Sequence, residues 1–73
     1  MVKLTLRQAE VIVNLAKTNM SARAAAHRMF VHPQTIYYNI RQILKKTGKN
    51  PANFYDLHDL LPIAEAVLKE GCS

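Results

Sequence analysis

The stretch "MFVHPQTIYYNI", residues 29–40, constrains the fold more than any other part of this chain, because it sets Pro33 between two segments with helical apolar spacing. Proline disfavours the α conformation in the residue before it and suits the first position of a helix. The chain therefore turns at Val31–His32, and a helix runs from Pro33 to about Thr47. Gly48 stands behind it as a natural C′ residue, with Lys45 and Lys46 in the last turn to complement the helix dipole. At about 100° per residue, Ile36, Ile40, Ile43 and Leu44 point inward. Gln34, Tyr38, Arg41, Gln42 and Lys45 lie on the opposite side. Tyr37 sits beside the inward arc and reads as packing.

No segment alternates with period two, so the whole chain reads as all-α: a small helical domain of about four helices spanning residues 1–73. Thr5 followed by Gln8 is a capping-box signature for a first helix over about 6–18. Leu6, Ala9, Ile12, Val13 and Ala16 share one of its faces, while Val11 and Leu15 fall outside that arc and imply cover on a second side. Ser21 is a good N-cap for a second helix, about 22–30, whose inner face carries Ala22, Ala25, Ala26 and Met29. A last helix, about 54–70, keeps Phe54, Leu57, Leu60, Leu61, Ala64, Val67 and Leu68 on one arc across Pro62. Such phase continuity predicts one long helix kinked at Pro62 rather than a break at Leu61–Pro62.

Charge narrows the partner. Residues 1–50 hold nine Lys or Arg against Glu10, whereas residues 51–73 hold Lys69 against Asp56, Asp59, Glu65 and Glu70. A basic body with an acidic end suits a polyanion on one side only. Other classes fit poorly. No apolar run approaches a membrane span and "MVKLTLRQ" has no signal-peptide core, so no membrane partner is expected. Cys72 is a lone thiol beside the end of the chain, which points to a reducing cytoplasm. His27, His32 and His58 share no ligand spacing, so neither a metal nor another cofactor is expected. Asp56, His58 and Asp59 are the only acid–histidine cluster, with no nucleophile at motif spacing, and no enzyme is expected.

A short helix, a tight turn and a second helix form a helix-turn-helix, core 21–47, in which the second helix enters the DNA major groove. The residues suit that task. Gln34, Tyr38, Arg41 and Gln42 are the candidate base contacts: glutamine for adenine, arginine for guanine, and a tyrosine ring for thymine methyls. Ser21, Arg23, His27, Arg28, His32, Thr35, Lys45 and Lys46 are the candidate phosphate contacts. His32 also reads as the N-cap of the helix that follows it. The alternative partner is an acidic protein bound by the same basic face. RNA is less favoured, since no stacking platform of aromatic residues is visible.

"SARAAAHRMFVHPQTIYYNIRQILKKTGKNP" resembles the C-terminal helix-turn-helix of PucR-type bacterial transcriptional regulators, and more distantly the DNA-binding end of Fis. The resemblance rests on Ala26, Phe30, Val31, His32, Thr35, Tyr38, Ile43, Thr47 and Gly48, with Met29, Ile36 and Ile40 as apolar equivalents. It covers residues 20–48 well and 50–64 loosely. The resemblance implies a cytoplasmic, nucleoid-associated DNA-binding module of bacterial or phage type. Asn39 stands where the family usually has arginine, which removes an expected DNA contact. PucR-type regulators carry large sensory regions upstream, whereas this chain starts five residues before its first helix; a small-molecule effector is not implied.

The long last helix also predicts assembly. About 17 residues at 1.5 Å each reach roughly 25 Å, beyond the roughly 14 Å of the second helix, so its end should overhang. Ile63, Ala64, Val67 and Leu68 would then form an apolar patch for a two-fold contact, giving a homodimer with two recognition helices on one duplex. The competing arrangement folds the last turns back on the first helix near Val11 and Leu15.

Overall fold

The computed structural model describes residues 4–71, and Cys72 lies outside them. The described chain forms α1 (Leu6–Lys17), α2 (Ala22–Met29), α3 (Pro33–Thr47) and α4 (Phe54–Gly71), with no strand among the described residues. Local chemistry starts each of the first three helices. The Thr5 hydroxyl accepts from the Gln8 N–H and the Gln8 amide oxygen from the Thr5 N–H, both at 3.1 Å, which completes the capping box. Ser21 Oγ accepts from the Ala24 N–H at 3.1 Å, and Pro33 follows the His32 cap of α3. Asn53 Oδ1 accepts from the N–H groups of Tyr55 and Asp56 at the head of α4.

α1 is the hub. It packs against α2, α3 and α4, while α4 touches neither of the other two. Ala9, Val11, Ile12 and Leu15 are all buried, so α1 is covered on more than one side. The small side chains of Ala25 and Ala26 let α2 lie close, and both are buried. α3 contributes Ile36, Ile40 and Ile43, and α4 contributes Leu57, Leu60 and Ala64, to the same core.

The corner after α2 is made differently from the sequence expectation. α2 stops at Met29, and Phe30 takes the left-handed conformation (φ 58°, ψ 41°). The Val31 N–H donates to the Ala26 carbonyl at 3.0 Å, and the Phe30 N–H to that of His27 at 3.3 Å. Those two bonds make a Schellman motif with phenylalanine where glycine is usual. Val31 packs against the core behind it, while Phe30 is 95% exposed. The carbonyls of α2 are thus closed off before Pro33 is reached; proline then sets only the start of α3.

α4 runs unbroken through Pro62, which faces solvent, so the break at Leu61–Pro62 does not occur. The expected overhang does not occur either. Ala64 is wholly buried, and Val67 and Leu68 are half-buried against the core, because the last turns lie on the domain rather than beyond it. Of the proposed patch, Ile63 alone is exposed, and Ala64 has no surface to offer a second chain. Phe54 is also exposed, on the rim of a groove it shares with Met20, Leu57 and Leu61, instead of entering the core.

Candidate nucleic-acid interface

α3 is covered on one side by α1 and α2 and by nothing from α4. Its remaining surface is open along its full length. Gln34, Tyr38, Arg41 and Lys45 recur at intervals of three or four residues, which aligns them as one ridge, and all four are exposed. Gln42 and Thr35 are half-buried on the edge of that ridge. Tyr38, Arg41, Gln42 and Lys45 line a concavity of about 450 Å³ together with Leu44.

Two residues read from sequence as inward are not. Tyr37 is 53% and Leu44 42% exposed. The core side of α3 is already filled by Ile36, Ile40 and Ile43, and no element packs against the flank where these two project. A sequence signal for Tyr37 existed: on a helical wheel it lies about 40° from Arg41 and about 60° from Ile40. Asn39, by contrast, is buried, and its Nδ2 donates to the Thr35 carbonyl at 2.7 Å. The residue that replaces the expected arginine is therefore folded onto its own helix.

Besides Thr35 and Lys45, the candidate phosphate contacts fall into two groups. Ser21, Arg23, His27 and His32 are exposed at the start of α2, along it and in the turn before α3. His32 Nδ1 accepts from the Gln34 N–H at 3.1 Å and so caps α3. An accepting Nδ1 leaves the proton of the neutral ring on Nε2, on an exposed side chain. Arg28 and Lys46 are tied to α1 instead of standing clear. Arg28 Nε donates to Asn14 Oδ1 at 3.0 Å, which fixes the guanidinium while leaving its terminal N–H groups. Lys46 Nζ donates to Gln8 Oε1 at 3.1 Å, joining the end of α3 to the start of α1.

The electrostatics favour an anion. No acidic residue occurs between Glu10 and Asp56, so the entire helix-turn-helix carries only positive formal charge. The first two acids that follow are engaged locally: Asp56 Oδ2 accepts from the Asn50 N–H at 3.0 Å, and Asp59 pairs with Lys49 at 3.2 Å. Among the described residues no group of three or more His, Cys, Asp or Glu could hold a metal ion, and no helix is long and apolar enough to cross a membrane.

Comparison with known proteins agrees with this geometry. The family model of the PucR C-terminal helix-turn-helix domain matches residues 8–64, well over half of the chain. No curated protein and no solved structure matches.

Proposed function

Since the chain belongs to the PucR C-terminal helix-turn-helix family, we propose that it binds double-stranded DNA sequence-specifically, through α3 in the major groove, and acts in transcriptional regulation. The observation that carries this reading is the open ridge of Gln34, Tyr38, Arg41 and Lys45 on a helix with no acidic residue. Side chains of that ridge can reach base edges, with Gln34 suited to the N6/N7 edge of adenine and Arg41 to O6/N7 of guanine. Arg23, His27, His32 and the terminal N–H groups of Arg28 would hold the phosphates to either side, and so set register without reading sequence. Lys45, far along α3, belongs with them.

The test is a duplex-binding titration at several salt concentrations with two variants. Wild-type affinity should fall steeply as salt rises, by about 0.9 in logarithmic slope for each phosphate neutralised. Gln34→Ala should weaken the preferred site by roughly 1–3 kcal/mol and relax preference at one base pair. Lys45→Ala should weaken all duplexes alike and lower the salt slope by about 1. A flat salt response would remove nucleic acid as the partner, and equal uniform losses in both variants would remove Gln34 from base reading. Pairing of two domains on one duplex is a separate proposal, restricted to Ile63 and the half-exposed edges of Val67 and Leu68. Sedimentation of wild type and Ile63→Glu, free and DNA-bound, tests it.

A further inference from the structure

Tyr37 belongs neither to the buried core nor to the side chains packed against it. It is 53% exposed, and the core side of α3 is supplied by Ile36, Ile40 and Ile43 without it. Among the described residues its hydroxyl has no hydrogen-bond partner, and its ring makes no aromatic contact, the Phe54–Tyr55 pair being elsewhere. Tyr38, the next residue, is 60% exposed. Adjacent residues on a helix diverge by about 100°, so the two rings stand on opposite shoulders of the Gln34–Arg41–Lys45 ridge. A helix lying in a groove with that ridge over the middle of its floor brings one ring toward the base edges beside each strand, where the pyrimidine 5-position lies.

The chemistry of α3 says which base such rings would meet. Pro33–Thr47 contains no Asp or Glu. The outward face therefore lacks the carboxylate that best accepts from the exocyclic amine of cytosine. Its donors, on Arg41, Lys45, Gln34 and the two phenols, call for acceptor edges. Thymine offers an acceptor, O4, beside a methyl group that projects into the major groove and is read by apolar contact. A half-exposed aromatic ring is a suitable surface for that methyl.

We propose that Tyr37 is a specificity-determining residue, whose ring packs on the 5-methyl group of a thymine at a position distinct from the one met by Tyr38. The inference rests on the DNA-binding reading above and goes beyond it by assigning a base feature to a residue outside the polar ridge. The experiment starts from the tightest duplex selected from a random pool. Each thymine is replaced singly by uracil, which removes the methyl group and changes no hydrogen-bonding edge. Burial of one methyl group corresponds to about fourfold in affinity.

The wild type should lose about that factor at one position assigned to Tyr37. Tyr37→Phe should keep the thymine preference there, because the ring is retained. Tyr37→Ala should bind thymine and uracil equally at that position while keeping the preference at any position read by Tyr38. Helical content by circular dichroism verifies that the variants are folded. A uracil scan that is flat on a duplex the wild type binds tightly would overturn the assignment and leave DNA binding standing. So would a Tyr37→Ala variant that retains the full methyl preference at every position. Failure to bind any duplex would instead overturn the DNA-binding reading, and this inference with it.

Discussion

Replacing His32 by asparagine separates two tasks that the histidine ring would perform at once. Its Nδ1 accepts from the Gln34 N–H at 3.1 Å, a bond made two residues along the chain that caps α3. Loss of an N-cap side chain costs about 1 kcal/mol, and asparagine is among the best residues at that position. In a domain of this size about 1 kcal/mol moves the melting temperature by roughly 4–8 °C. His32→Ala should therefore melt lower by about that much, whereas His32→Asn should melt close to wild type. Duplex binding should behave differently. The Nε2–H of the capped ring belongs to an exposed residue, and a hydrogen bond from it to a phosphate would contribute about 1.5–3 kcal/mol. Asparagine, holding its oxygen on the Gln34 N–H, is too short to replace that donor. Thermal unfolding followed by circular dichroism and fluorescence anisotropy with labelled duplexes measure the two effects. His32→Asn should lose roughly ten-fold or more in affinity, equally on all sequences, with an unchanged melting temperature. Wild-type affinity in His32→Asn would restrict His32 to capping. A melting temperature as low as that of His32→Ala would refute the capping argument itself.

Pro62→Ala should stabilise the protein by about 1–2 kcal/mol: an interior helical proline costs about 3 kcal/mol, part of which is offset by its restriction of the unfolded chain. Pro62 is exposed, so a lower denaturation midpoint in urea would mean that α4 needs its proline to lay Ala64, Val67 and Leu68 on the core. Phe30→Asn should raise stability by about 0.5–1 kcal/mol, since asparagine tolerates the left-handed conformation better and the exposed ring forfeits almost no packing. A loss above about 1 kcal/mol in the same unfolding measurement would contradict the exposed placement of that ring.

Much of this protein was legible in its sequence because it is decided over one helical turn. Thr5 with Gln8, Ser21 with Ala24, and Gly48 in its left-handed position (φ 74°) each act on a neighbour at most four residues away. The apolar period then assigned Ile36, Ile40 and Ile43 to the core and Gln34, Tyr38, Arg41 and Lys45 to the open face of α3, as observed. A helical wheel gives an angle, however, and not the neighbour that will or will not cover it. Tyr37 and Leu44 are exposed because α4 packs on α1 alone and leaves that flank of α3 bare. Ala64 is buried for the complementary reason, the last turns of α4 lying along the domain. The ties of Lys46 to Gln8 and of Arg28 to Asn14 join residues distant in sequence and have no local signal. Phe30 is the clearest case. Its own preferences oppose a left-handed φ, and it adopts one because the Schellman bonds to α2 and the burial of Val31 next to it outweigh a cost of about 1–2 kcal/mol. Propensity acts on one residue at a time, whereas packing sums over many, and at this corner packing prevails.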